Sequence, residues 1–227
     1  MTRTPIRLTL VVLAVAAMGV SSYFTVFGGS GGLLAGPASS VPYEIRPTDL
    51  VHGSPNAPVT IIEYASMTCS ACAGFAINTL PQLRREYIDT GKVRLVFREY
   101  PLDGIARIAS AATRCFEGDA AFNFIDLLFQ NQQGPNGWIK DFDGDMQMTQ
   151  QDVEEGLARM GRVAGMSREQ IITGSRDPAK LALVDANWTE GRTRYNVGST
   201  PTFIINGNVH RGGLTFAAIK AAIDPLL

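Results

Sequence analysis

The feature that most constrains this chain is a pair of cysteines, Cys69 and Cys72, directly after a short apolar segment. The β-branched run over residues 59–64 predicts a buried strand, and residues 73–83 have the composition of a helix. Cys69 therefore lies at or just before the first helical turn, where free N–H groups and the helix dipole favour a thiolate. Cys72 lies on the same helix face, close enough for a disulfide. We predict a redox pair at a helix N-terminus.

Two other uses of a Cys-x-x-Cys pair fit less well. Half of a zinc site would need two further Cys or His ligands. The remaining candidates, Cys115, His52 and His210, are widely separated and form no second paired motif. A purely structural disulfide gains little when it closes so short a loop. The redox pair is favoured over both, and no metal site is predicted.

The composition indicates a globular protein rather than a nucleic-acid-binding or disordered one. The 227 residues are 45% hydrophobic and 18% charged, which is typical of a single domain that carries an insertion. The net charge is −1, so neither nucleic acid nor an anionic surface is indicated as a partner.

The N-terminus is the exception to this ordinary composition. Arg3 and Arg7 precede an uncharged run over residues 8–27, a pattern typical of an export signal or a membrane anchor within residues 1–27. At about 1.5 Å per residue the run can cross a bilayer. No small-residue cleavage site follows at the usual distance, which slightly favours an uncleaved anchor over a cleaved signal. Residues 28–42 then form a flexible tether rich in Gly and Ser.

The rest of the chain predicts an α/β domain over residues 43–227 with helices inserted in its middle. Residues 47–58, which precede the first predicted strand, are expected to form a loop in which His52 is solvated. Beyond the cysteine pair we expect a helix interrupted by Pro81, and a second strand that completes a parallel β-α-β unit. A helical insertion over about residues 103–189 follows, and then a β-hairpin and a closing helix. The later predicted elements are strands 93–100, 202–205 and 209–211 and helix 216–223.

Taken together, these segments resemble the DsbA-like thiol:disulfide oxidoreductases of the thioredoxin superfamily. The resemblance depends on the strand–Cys69-Ser-Ala-Cys72–helix motif, on the later run Ser199-Thr-Pro-Thr-Phe-Ile-Ile-Asn-Gly, and on the helical block between them. It covers about residues 43–227 and implies a thioredoxin-like fold, with a βαβ half and a ββα half separated by the insertion. The N-terminal anchor and the tether lie outside it.

The resemblance also implies roles for particular residues. Cys69 would be the exposed attacking thiolate, and Cys72 the buried resolving thiol. Thr200 and Pro201 would form a cis-proline loop that faces the pair, where the Thr200 backbone binds an extended substrate chain and Pro201 keeps metals away. The sequence does not show the isomer of the Thr200–Pro201 bond.

Glu63, six residues before Cys69, looks like the buried acid that these proteins use beneath the active site. It shares a strand face with Ile61. A buried carboxylate there could accept the proton of Cys72 during exchange. The alternative is that Glu63 faces solvent at a strand end.

Ser70 and Ala71, between the cysteines, are expected to contact the substrate. They replace the proline–histidine pair of the strongest oxidant in the family, whose histidine helps to stabilise the attacking thiolate. The resemblance therefore implies a milder periplasmic oxidase. Its substrates would be reduced or unfolded exported proteins, a membrane redox partner would reoxidise the pair, and no cofactor would be needed.

Two alternative functions and one unassigned thiol are left open. A reductase or isomerase of exported proteins is the first alternative. A copper(I) carrier with Cys69 and Cys72 as ligands is the second, although no Met or His cluster accompanies the pair. Cys115 is expected to be an inert packed thiol rather than half of an intermolecular disulfide.

Overall fold

The structure is a computed structural model that describes residues 42–134, 136–139 and 148–227. The predicted signal or anchor at residues 8–27, and the predicted tether up to residue 41, lie outside these ranges. Within these ranges no helix has both the length and the apolar character needed to cross a bilayer.

The domain is built on one mixed sheet whose strand order is β1-β3-β2-β4-β5. Strands β2 and β3 run parallel, and every other neighbouring pair is antiparallel. The strands are β1 (Leu50–His52), β2 (Val59–Ala65), β3 (Val93–Glu99), β4 (Thr202–Ile205) and β5 (Asn208–Val209). The central strand β2 is buried along its whole length. This arrangement confirms the predicted thioredoxin-like fold, with a parallel βαβ half and an antiparallel ββα half.

The edge strand β1 corrects the prediction of a loop over residues 47–58. Its three residues pair antiparallel with β3, with Val51 opposite Val96. His52 is not a solvated loop residue, because its Nδ1 lies 2.9 Å from Oδ1 of Asp119 in the insertion. Three residues are too few to show the alternation by which a strand is recognised in a sequence.

Eight α-helices are found in the described ranges, and five of them form the insertion between β3 and β4. The helices are α1 (Ser70–Asn78), α2 (Leu80–Leu83), α3 (Gly104–Thr113), α4 (Gly118–Gln130), α5 (Gln150–Val163), α6 (Arg168–Ser175), α7 (Pro178–Arg194) and α8 (Phe216–Ile223). The insertion thus ends at Arg194 rather than near Thr189. The break predicted at Pro81 falls at Thr79, and Pro81 lies in the first turn of α2, where its missing N–H leaves no helical bond unmade.

The two faces of the sheet have different chemistry. One face carries Ile61 and Glu63 and packs into the main apolar core beneath α1 and α4. The opposite face carries Tyr64 and Arg98 and packs against α7. Arg98 is fully buried there, and its guanidinium binds Asp49 at 2.7 Å and Glu190 at 2.9 Å. The redox pair therefore lies above the apolar face.

Candidate active site

The turn that follows β2 presents Cys69 as the N-cap residue of α1. The backbone N–H of Cys69 donates to the Ser66 carbonyl oxygen at 3.1 Å, which closes the turn. The backbone N–H of Cys72 donates to the Cys69 sulfur at 3.4 Å. Cys69 thus has the predicted position, with its sulfur among the unpaired N–H groups of a helix N-terminus.

These surroundings favour the thiolate form of Cys69. The hydrogen bond from the Cys72 thiol is the largest of the influences that lower the pKa of Cys69, to about 5. The Thr200 side chain and the backbone N–H groups of Cys72 and Ala71 act in the same direction and outweigh the opposing effect of burial. Cys69 is half-buried, so a substrate sulfur has access to it.

The second thiol of the pair behaves in the opposite way. Cys72 is fully buried, and burial raises the pKa of its thiol far above the usual range. Its hydrogen bond to Cys69 and the negative charges of Glu63 and Cys69 raise the pKa of Cys72 further. Both thiols are free in the structure. The pair therefore combines a half-buried thiol that favours the thiolate form with a buried partner that favours the protonated form.

The loop before β4 covers the pair from the other side. The Thr200–Pro201 peptide bond is cis, which the sequence could not show. The Cys69 thiol donates to the Thr200 carbonyl oxygen at 3.3 Å. Ser70 and Ala71, which follow Cys69 directly in α1, are exposed, as their predicted contact with substrate requires.

Glu63 lies beneath the pair and not at a solvent-facing strand end, since only 2% of its surface is exposed. Its side chain borders a cavity of about 10 Å³, enough for a single water molecule, that Asp126 of α4 also lines. Burial, followed by the negative charge of Asp126, raises the pKa of Glu63 to about 8. Arg84 opposes this rise but is engaged by Asp126 in an ion pair. Glu63 is therefore poised to exchange a proton near neutral pH.

Two residues of the insertion hold the active-site turn and were not predicted. Asp103, the N-cap of α3, accepts a hydrogen bond of 2.6 Å from the Thr68 hydroxyl. Gln132, just after α4, donates to the carbonyl oxygens of Met67 and Cys69. A capping signal in the sequence could have located Asp103. No local signal distinguishes Gln132 from its neighbours.

The third cysteine lies elsewhere, after the end of α3. Cys115 is half-buried and borders a cavity of about 440 Å³ between α6 and the start of α7. Lys180 Nζ lies 3.4 Å from its sulfur. Within residues 42–134, 136–139 and 148–227, no three His, Cys, Asp or Glu side chains converge in a group that could hold a metal ion.

Several curated relatives with similar sequences have names that refer to protein disulfides. The chain is 26% identical over 190 residues to a putative protein-disulfide oxidoreductase of Rickettsia conorii, a match that covers 84% of this chain and 64% of the relative. It is 28% identical over 177 residues to a probable disulfide bond formation protein D of Bacillus cereus, covering 76% of each. The chain thus spans a little under two thirds of the Rickettsia conorii relative.

Solved structures show the same fold. Wolbachia pipientis alpha-DsbA1 superposes with a TM-score of 0.68 at 26% identity, covering 80% of this chain and 92% of that one. BdbD from Bacillus subtilis, at 21% identity, superposes with a TM-score of 0.67 over 78% of this chain and 92% of that one. The sequence profile of the thioredoxin family matches residues 46–225. With its redox turn, its helical insertion and these likenesses, the chain belongs to the thioredoxin family as a DsbA-like member.

Proposed function

We propose that this protein is a thiol:disulfide oxidoreductase that donates the Cys69–Cys72 disulfide to reduced exported proteins. The observation that carries the proposal is the asymmetry of the pair, in which the pKa of the Cys69 thiol is lowered to about 5 and that of Cys72 is raised. A stable thiolate on Cys69 favours the reduced form of the pair, which makes its disulfide a good oxidant. The names of the Rickettsia and Bacillus relatives support the same activity.

The proposed reaction has two exchange steps. A substrate thiolate attacks the sulfur of Cys69, forms a mixed disulfide with it and breaks the Cys69–Cys72 bond, so that Cys72 leaves with the electron pair. A second substrate thiolate then attacks the substrate sulfur of the mixed disulfide and releases Cys69 as a thiolate. The substrate dithiol loses two electrons and becomes a disulfide, and the pair gains them.

Glu63 supplies the proton for this cycle. With a pKa of about 8 the carboxyl is mostly protonated near neutral pH, so it can pass a proton to Cys72 as that sulfur leaves. When Cys72 attacks in the reverse direction, the Glu63 carboxylate accepts the proton. The negative charge of Glu63 is among the causes that raise the pKa of Cys72, so a protonated Glu63 makes the Cys72 sulfur easier to ionise.

The loop that contains Thr200 and Pro201 binds the substrate. An extended chain pairs with the Thr200 backbone, which brings a substrate cysteine beside the Cys69 sulfur, 3.3 Å from the Thr200 carbonyl oxygen. The exposed side chains of Ser70 and Ala71 complete the contact surface. Both are small, so they leave room for varied substrate sequences.

The same proposal includes an exported location and a partner. Residues 8–27 would deliver the domain to the periplasm, as a cleaved signal or as an inner-membrane anchor. A membrane redox protein would reoxidise the reduced pair there. Fractionation of cells, with mass measurement of the mature chain, tests the location and separates the two fates of the N-terminus.

The equilibrium of the pair with glutathione tests the direction of electron flow. We expect a potential of about −120 to −180 mV, the range of strong oxidants and isomerases. A value of about −270 mV, as in thioredoxin, would make the protein a reductase and would overturn the proposal. Copper retained in stoichiometric amounts after purification under reducing conditions would instead favour the copper(I) carrier.

A further inference from the structure

Gln132 makes an unusual contact for a residue of the insertion. It lies just after α4, and only 4% of its surface is exposed. Its side-chain Nε2 donates to the Met67 carbonyl oxygen at 2.8 Å and to the Cys69 carbonyl oxygen at 3.2 Å. One buried amide thus binds both sides of the turn that presents the reactive sulfur.

The backbone around Gln132 is itself held in place. The backbone N–H of Ile139 donates to the Gln132 carbonyl oxygen at 3.2 Å. The backbone N–H of Trp138 donates to the Asn131 carbonyl oxygen at 2.9 Å. The indole of Trp138 is fully buried and donates to the Leu128 carbonyl oxygen at 2.8 Å. Gln132 therefore reaches the active-site turn from a packed support.

A second contact holds the same turn from its other side. The Thr68 hydroxyl donates to Asp103 at 2.6 Å, and the Ser66 hydroxyl lies 3.2 Å from that of Thr68. Residues 66–69 are thus fixed between α3 and the segment after α4. Of these contacts, only those of Gln132 reach the backbone of Cys69 itself.

The position of the turn matters for the reactive sulfur. The Cys69 carbonyl oxygen also accepts the N–H of Ala73 at 3.1 Å, the first hydrogen bond of α1. The donor to the Cys69 sulfur, the N–H of Cys72, is already 3.4 Å away. A small rotation at Cys69 would lengthen this contact, and hydrogen bonds weaken steeply with poor geometry.

We propose that Gln132 is a positioning residue, which fixes the carbonyl groups of Met67 and Cys69 and so keeps the Cys69 sulfur on the donors of α1. The inference rests on the proposed function and deepens it, because it assigns part of the oxidising power of the pair to the insertion. Gln132 touches no reacting atom, so its effect passes through the geometry of Cys69.

The test compares Gln132→Met with Gln133→Met in the full chain. Methionine has nearly the length of glutamine but no N–H groups, and Gln133 is an exposed neighbour. The readouts are the pH titration of the Cys69 thiolate by ultraviolet absorbance, the equilibrium constant with glutathione, and the free energy of unfolding.

For Gln132→Met we expect the titration midpoint of Cys69 to rise by about one pH unit. The equilibrium with glutathione should move about tenfold toward the disulfide, a potential about 30 mV more negative. Gln133→Met should match the parent in both. Should Gln132→Met not fold, Gln132→Leu, which also lacks side-chain N–H donors and adds no charge, should shift both readouts in the same direction.

A purely structural Gln132 would give a different result. Its variants would unfold more easily, but the folded protein would keep the parental titration and the parental equilibrium constant, which would overturn the inference. A parental potential near that of thioredoxin would contradict the proposed oxidase function instead. The difference between Gln132→Met and the parent would still decide the role of Gln132.

Discussion

Two cysteine sulfurs in this structure lie beside nitrogen donors: Cys69, in the turn before α1, and Cys115, at the cavity between α6 and α7. The position of each cysteine relative to its helix differs. Cys69 begins a helix, and the backbone N–H of Cys72 points at its sulfur. Cys115 follows the end of α3, where helix carbonyl groups are exposed, and its thiol donates to the Gln170 carbonyl oxygen at 3.9 Å. The donor near Cys115 is the side chain of Lys180, which can move away.

The difference supports the prediction that Cys69 is the reactive thiol and that Cys115 only packs. At Cys69 the Cys72 thiol is joined by the backbone N–H groups of Cys72 and Ala71, which cannot rotate away and favour the thiolate at no cost in side-chain entropy. A buried second thiol, Cys72, lies three residues further on, and we propose that it resolves a mixed disulfide. Cys115 has no second cysteine within reach among the described residues. We therefore expect reactivity to follow backbone geometry rather than the size of the adjoining cavity.

Removal of each sulfur gives the largest expected contrast. Cys69→Ser should lower the rate of disulfide transfer to a reduced protein by at least about 1,000-fold, because the mixed disulfide cannot form. Cys115→Ser should leave the rate within about twofold of the parent, which is ordinary for a residue outside the chemistry. Oxidation of reduced, unfolded ribonuclease measures both. Residual oxidation by Cys69→Ser above the uncatalysed rate would contradict the assignment.

Alkylation compares the two thiols directly. In reduced Cys115→Ser, the rate of Cys69 alkylation should stay constant down to about pH 5, the pKa of its thiol, and fall tenfold per pH unit below it. In Cys69→Ser/Cys72→Ser, Cys115 should react about 100-fold more slowly near pH 6. Equal rates would mean that Lys180 activates Cys115. In that case Lys180→Met should lower the alkylation rate of Cys115 to about 100-fold below that of Cys69.

Substitution of the buried acid separates proton transfer from thiolate formation. Glu63→Gln should slow the attack of Cys72 on a mixed disulfide by about tenfold or more, because no carboxylate accepts the proton. The parental rate should rise with pH and level off above about 8, the pKa of Glu63, and the variant should lack this rise. Stopped-flow mixing with a mixed disulfide of Cys69 measures both. An unchanged profile would remove Glu63 from the cycle.

The pH dependence of protein stability gives a second, independent test of the raised pKa of Glu63. Its pKa in the folded protein, about 8, lies above the reference value of 4.5, so stability is lost as pH rises between these two values. Glu63→Gln abolishes this loss. The variant should be more stable than the parent above about pH 8, by on the order of a few kcal/mol, and the difference should shrink toward pH 4. Denaturant unfolding across this range measures it.

The smallest effect is expected beside Cys115. A Cβ at Gly174 would lie 2.0 Å from the Cys115 sulfur, so Gly174→Ala should destabilise the fold by about 1–3 kcal/mol without changing the rate of disulfide transfer. Cys115→Ala/Gly174→Ala should recover most of the loss. Gly74→Ala in α1 is the control, because its Cβ would meet no atom within 4 Å. If Gly174→Ala destabilised the parent and the Cys115→Ala variant equally, the clash would involve atoms other than the Cys115 sulfur.

What could be predicted from the sequence depends on local patterns. Strand β2 and the closing helix over residues 216–223 match their predictions. In each, the hydrophobic period or the capping residues that define the element lie within a few residues of one another. The position of Cys69 follows from the same junction. The predicted Asn206-Gly207 hairpin turn also matches, since both residues adopt positive φ.

What could not be predicted depends on contacts between distant segments. Gln132 acts on Met67 across 65 residues, and nothing in its own neighbourhood marks it. Asp126 raises the pKa of Glu63 from a helix of the insertion. The strand β1 exists only through its pairing with β3. In each case the decisive partner is fixed by packing and not by a motif.

The alternation of side chains along β2 restricts the insertions and deletions that this strand can accept. Glu63 and Tyr64 are successive residues on opposite faces, and the buried Arg98 guanidinium lies on the side of Tyr64, 3.3 Å from its hydroxyl. This alternation places the Arg98 guanidinium and the Glu63 carboxyl on opposite faces of the sheet. A one-residue insertion or deletion in β2 that moved Glu63 to the other face would set its carboxyl beside the Arg98 guanidinium, which would stabilise the carboxylate and lower its pKa. Length changes should therefore be far rarer in this strand than substitutions.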